Sequence, residues 1–222
     1  MKIPLRERKA ARTRLRLAEI LRQRLEQMPF EALAVRDLCQ AAEIAEATFF
    51  NYFPRKQDLL AYAGRLLALD LNWGVTRAAE TSPGLAAIQG LFEQAAREAA
   101  AAPGFVGELI AYQARLRERP DPEPLPRADR LLAFPDRPGI DALEDAGIDA
   151  LIARELRHAV DRGELPPNAH LPTLVVGLVA LFNGVIIALR LVNPQGIAAM
   201  YRQQLALFRA GARAASQRPL QS

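Results

Sequence analysis

The chain of 222 residues is poor in the side chains that cross-link, ligate metals or catalyse. It has a single cysteine, Cys39, and two histidines, His158 and His170. A disulfide framework and a Cys/His metal cage are therefore excluded, and the lone thiol fits a reducing cytosol. The two histidines are far apart in sequence and catalysis has no motif to rest on, so neither metal, cofactor nor enzymatic activity is expected. The opening MKIPLRERKAARTRLR has charge but no apolar run, so a secretory signal is not expected. Runs of β-branched residues are scarce, and no stretch alternates apolar and polar residues for long enough to build a sheet. What is present is 50% hydrophobic and 24% charged residues, a globular composition rich in Ala, Leu, Arg, Glu and Gln, which points to an all-α chain.

The cations are unevenly placed. Residues 1–56 hold 12 Lys and Arg against 7 Asp and Glu, whereas residues 57–222 hold 17 against 18, so the whole positive excess is N-terminal. Seven of those bases lie in the first 16 residues. A basic arm before a small folded unit is the footprint of a polyanion binder, because neutralising phosphates releases counterions; a solvated tail would give the same count.

Helical periodicity fills most of the rest. Leu17, Leu21, Leu25 and Met28 form one apolar stripe over residues 13–28, ended by Pro29. A short helix is expected at 35–42, a break at 43–45, and a second short helix closing at Phe53-Pro54. A long helix starts near Arg55, and Pro83-Gly84 and Pro103-Gly104 divide the chain beyond it into further helices. Residues 117–140 hold six of the sixteen prolines and read as a connector with one helical turn at 128–134. Helices are expected at 141–162, 171–192 and 197–215.

Two short helices about a three- or four-residue turn, packed on a longer first helix, form the arrangement that sets a recognition helix in a DNA major groove. Leu33, Val35, Leu38, Ile44, Phe49 and Phe53 would supply the support that such short helices need. The sharper signal is the string Thr48-Phe49-Phe50-Asn51-Tyr52-Phe53, followed by Lys56 and Leu59-Leu60. With Thr13-Arg14 placed 17 residues before Phe30, and Val35-Arg36-Asp37-Leu38-Cys39 between, residues 13–62 resemble the N-terminal region of the tetracycline-repressor (TetR) family. Four positions depart from that pattern: Pro29 for Gly, Ala34 for a Thr or Ser cap, Glu43 for the turn Gly and Ala45 for a Ser cap. Each forgoes a few tenths to about 1 kcal/mol of cap or turn preference.

The resemblance implies a helix-turn-helix DNA-binding domain over residues 1–55 and an effector-binding, dimerising domain over 56–222. Arg14, Thr48, Phe50, Asn51, Tyr52 and Lys56 are then expected at the DNA, Lys56 on a phosphate and Phe50 in place of the family's Tyr, without its hydroxyl. Arg36, Glu46 and Ala47 are the candidates for base edges, where Arg suits guanine, Glu a cytosine amine and Ala a thymine methyl.

The stretch TLVVGLVALFNGVIIALRLV is long enough to be weighed as a membrane span, but Asn183, Arg190 and its two unlike faces argue against that. Gly177, Ala180, Gly184 and Ala188 make a small-residue face suited to a partner subunit, while Val175, Val179, Phe182, Ile186 and Leu189 make a bulky one. Trp73, Phe92, Tyr112, His158 and Asn183, set in apolar helices, are the candidate linings of an effector pocket. The expected function is a cytoplasmic, homodimeric transcriptional regulator on a palindromic double-stranded operator, a repressor released by a small, largely apolar effector. The alternatives are a stand-alone small-molecule sensor and a regulator without a ligand.

Overall fold

The computed structural model describes residues 3–118 and 124–215. Among these there are ten α-helices and no strand: α1 (Leu5–Leu25), α2 (Val35–Ala42), α3 (Glu46–Tyr52), α4 (Lys56–Thr81), α5 (Leu85–Ala101), α6 (Pro103–Arg115), α7 (Arg127–Ala133), α8 (Ile148–Asp161), α9 (Leu171–Leu189) and α10 (Ile197–Ala215). They form two compact units, one of Met1–Asp70 with Ala102–Asp145, the other of Leu71–Ala101 with Ala146–Ser222. The expected domain boundary lies at residue 55; packing groups α6, α7 and the first half of α4 with α1, α2 and α3.

In the first unit, α1 buries Leu17, Leu21 and Leu25 as the stripe requires, and Leu38, Phe49, Leu59 and Leu60 close the core against it. Several boundaries differ from expectation, among them the end of α9, at Leu189 rather than 192. The basic segment is no loose arm: α1 starts at Leu5, because residues 5–12 are all strong helix formers and Pro4 needs no partner for a missing N–H at that end. At the other end α1 stops at Leu25, and Glu26 accepts the backbone N–H groups of Gly104 (3.1 Å) and Phe105 (2.9 Å), which open α6. A Cβ on Gly104 would lie 2.1 Å from the Leu25 carbonyl oxygen, so only glycine lets α6 approach this closely. Residues 141–147, expected to be helical, are turns and loop, since Asp141 and Asp145 accept from Arg127 and Arg130 and Gly147 delays α8 to Ile148.

The second unit is built around aromatic rings. Phe92 of α5 meets Phe182 of α9 at 5.2 Å and Tyr201 of α10 at 4.8 Å between ring centroids, both edge-on. The Tyr201 hydroxyl donates to the Phe182 carbonyl. Two carboxylates receive the first N–H groups of α5: Glu155 takes that of Gly84 (3.1 Å) and Glu164 that of Leu85 (2.9 Å). Helix α9, with mean hydropathy 2.3, is long and apolar enough to cross a membrane. One face, Leu178, Phe182 and Ile186, is buried where α9 packs on α8 and α10. The opposite face stays open in the single chain: Val176 is 69% exposed, Ile187 56%, and Gly177, Ala180, Gly184 and Ala188 are exposed as well.

Candidate nucleic-acid interface

The turn between α2 and α3 is tight because Glu43 takes a left-handed conformation (φ 57°), which brings the Ile44 N–H to the Cys39 carbonyl at 3.0 Å. Neither Ala34 nor Ala45 gives a side-chain cap to the helix it precedes. The short helices are held instead by rings beneath them: Phe49 packs on Phe53 at 5.7 Å, and Phe53 on Tyr62 at 5.4 Å.

Above that core, α3 presents Glu46, Ala47, Phe50 and Asn51 to solvent, with Phe50 45% exposed and turned edge-on to Phe49. Thr48 and Tyr52 are half-buried. Together with Asn51 they face Leu5, Arg6, Lys9 and Ala10 of α1 across a groove of about 880 Å³. Arg36, at the start of α2, is 80% exposed. Of the nine sequence-derived DNA positions, Thr48, Asn51 and Tyr52 line this groove, and Glu46, Ala47, Phe50 and Arg36 are exposed. Arg6 and Lys9 join it because α1 is helical from Leu5, which sets residues three and four apart on one face. Reading the basic segment as helix rather than as an arm would have found them.

Arg14 and Lys56, both expected at the DNA, make their bonds within the chain. The Arg14 guanidinium is turned inward, donating from Nε to Asp129 Oδ2 (2.7 Å) and from Nη2 to Oδ1 (2.6 Å). It also lies over the Tyr52 ring, 5.4 Å from its centroid. The Tyr62 hydroxyl donates to the same Oδ2 at 2.6 Å. Asp129 is fully buried, so its charge is stable only with these partners, and they in turn are fixed by it. The Asp129 carboxylate raises the Arg14 pKa, and burial, with the bond to Asp129, pushes that of Tyr62 upward. Lys56, expected on a phosphate, donates to the carbonyls of Phe30 (2.7 Å), Leu33 (2.8 Å) and Glu31 (3.4 Å) and sits 4.4 Å from the Phe30 ring. Its three donors are occupied, so it ties the 30–33 turn to the start of α4.

The five candidate pocket residues are divided between the two units. Tyr112 belongs to the first unit and Trp73, Phe92, His158 and Asn183 to the second. Phe92 is spent on the aromatic core, His158 Nδ1 faces Glu155 at 3.1 Å, and Asn183 donates to the Val179 carbonyl on its own helix.

Residues 22–63 match the family model for bacterial regulatory proteins of the tetR family. Among solved structures, the chain resembles a TetR family transcriptional regulator, PfmR, from Thermus thermophilus, at 20% identity and TM-score 0.57 over 87% of this chain and 97% of that one. It resembles RolR in complex with resorcinol at 17% identity and TM-score 0.56, over 96% and 97%. A TetR family transcriptional regulator from Chloroflexus aurantiacus gives 19% identity and TM-score 0.51, over 95% and 94%. At these identities the likeness is one of fold. No curated protein matches the sequence.

Proposed function

We propose that this chain, a transcriptional regulator whose N-terminal domain is that of the tetR family, binds a palindromic operator as a homodimer and represses until a small apolar effector releases it. The observation that carries the DNA-binding part is the open face of α3 set beside Arg6 and Lys9. Polar and cationic groups flank the groove for phosphates, and Glu46, Ala47 and Phe50 stand outward toward base edges. Phe50, without a hydroxyl, suits a thymine methyl better than a phosphate.

The dimer reading rests on α9, whose outer face leaves Val176 and Ile187 exposed beside a stripe of exposed glycine and alanine, a face a second copy of the same helix would cover. A two-fold dimer presents two recognition helices at fixed spacing and so reads a palindrome. The effector reading draws support from the likeness to RolR solved with resorcinol. The regulator without a ligand draws its support from the Phe92, Phe182 and Tyr201 rings, which pack on one another in the second unit.

Duplexes selected from a random pool should bind in gel shift at least about a hundredfold tighter than scrambled duplex, with affinity falling steeply as salt rises. Equal affinity for both duplexes would refute sequence-specific recognition. Small phenols that raise the melting temperature should weaken operator binding, and operator should weaken them by the same factor; ligand that binds without moving operator affinity would favour the ligand-free reading.

A further inference from the structure

The DNA-facing surface leaves Asp129 unexplained: a fully buried carboxylate on a seven-residue helix, 115 residues along the chain from Arg14, the cation it holds. A buried carboxylate is costly to desolvate and is a poor choice where packing alone is needed, since apolar side chains of similar size do that as well or better. Its surroundings give it another use. Through Arg14 it reaches the Tyr52 ring on the groove side of α3. Through the Tyr62 hydroxyl it reaches the ring stack Tyr62, Phe53 and Phe49 on the core side. One carboxylate therefore holds both sides of the same short helix.

Helix α7 is itself fixed rather than loosely laid on α1. Arg130 donates from Nε to the Leu125 carbonyl (2.9 Å), from Nη1 to the Leu143 carbonyl and from Nη2 to Asp145 Oδ1 (2.8 Å). Asp145 Oδ2 accepts from the Leu125 N–H (3.1 Å) and from Arg65 of α4 (3.0 Å), and Arg127 is tied to Asp141. The segment from Leu125 to Asp145 is thus a clamp with Asp129 at its contact point.

We infer that Asp129, Arg14 and Tyr62 are positioning residues for DNA recognition, setting the orientation of α3 through Tyr52 on one side and Phe53 on the other. The inference rests on the reading of α3 as the helix that meets DNA. It makes the order of residues 125–145 a determinant of operator affinity although none of those residues is at the groove.

The test uses the full chain labelled with 3-fluorotyrosine, which places one fluorine reporter at each of Tyr52, Tyr62, Tyr112 and Tyr201. In Asp129→Asn the amide cannot accept from all three donors, so the Tyr52 resonance should move while that of Tyr201, in the second unit, stays. Operator affinity should fall about tenfold or more, with binding to scrambled duplex changed less than about twofold. Tyr62→Phe, which keeps the Arg14 ion pair, should move both readouts in the same direction by less, and it carries the test if Asp129→Asn does not fold. A Tyr52 signal that stays put in a folded variant, or an operator affinity left unchanged, overturns the inference. If the wild-type chain itself does not distinguish operator from scrambled duplex, the DNA-recognition reading falls, and the Tyr52 resonance decides the positioning claim on its own.

Discussion

The two units use their side chains in opposite senses. In the first, residues that sequence polarity assigns to the surface point inward: Arg14 to Asp129, Lys56 to three carbonyls, Arg130 to Leu125, Leu143 and Asp145. In the second, residues assigned to a core point outward, with Val176, Ile187 and Leu207 all more than half exposed. Directional bonds to buried charges fix angles between short helices that have little apolar area of their own, whereas an uncovered apolar face signals a missing partner. Charge in the first unit and hydrophobicity in the second are therefore poor guides to what meets solvent, and each marks where geometry or assembly matters.

The largest expected effect lies on the two faces of α9. Ile187→Glu sits on the open face, so the monomer should fold as before while the dimer weakens by about a hundredfold or more, since an unpaired charge buried on association costs several kcal/mol. Phe92→Ala, beneath the inner face, should lower unfolding stability by about 3–5 kcal/mol. Sedimentation and chemical denaturation separate the two. A dimer unmoved by Ile187→Glu would place the interface elsewhere and break the contrast between the units.

A smaller effect is expected at Glu155, the second unit's own buried carboxylate. Burial raises its pKa, but the bonds from Arg154, the Gly84 N–H and His158 outweigh that, and the net shift is downward from 4.5. A carboxylate with a folded-state pKa below its unfolded value stabilises the fold above the unfolded pKa and loses that stabilisation as pH falls through the folded one. Stability should thus decline below about pH 4.5 in the wild type. Glu155→Gln should flatten that decline and cost about 1–2 kcal/mol at neutral pH through the weaker acceptor at the start of α5. Equilibrium unfolding across pH 3–7 checks both, taking the roughly four-unit span as the window for carboxylate titration.

Much of the fold was legible in the sequence because the signals were local. The stripe of Leu17, Leu21 and Leu25, the proline stops and the Thr48–Phe53 string act within a few residues, and the structure places α2, α3, α5, α6 and α10 within one or two residues of where those signals put them. What was not legible depends on partners far along the chain. Nothing near Arg14 or Lys56 announces that their charges are taken up, by Asp129 in one case and by backbone carbonyls in the other. A pocket lining is hard to read from sequence for a related reason: an aromatic or polar residue in an apolar helix fits a core, a capping bond or a lining equally well. Only the packing of Phe92 on Phe182 and Tyr201 distinguishes these.

The smallest expected effect tests whether the turn carries strain that the charged lattice around it tolerates. Glu43 is the one residue other than glycine with positive φ among those described, in a conformation where a Cβ crowds the following carbonyl at a cost of about 1–2 kcal/mol. Glu43→Gly removes the crowding but gives the unfolded chain more freedom, so the net gain should be about 0.5–1 kcal/mol, or roughly 1–4 °C in melting temperature. The side chain is exposed and charged, so losing its negative charge alone would also alter the measurement. Glu43→Gln separates the causes, because it removes the charge and keeps the Cβ. Stabilisation by glycine and not by glutamine places the cost in the backbone; equal stabilisation by both would assign it to charge and leave the turn unstrained.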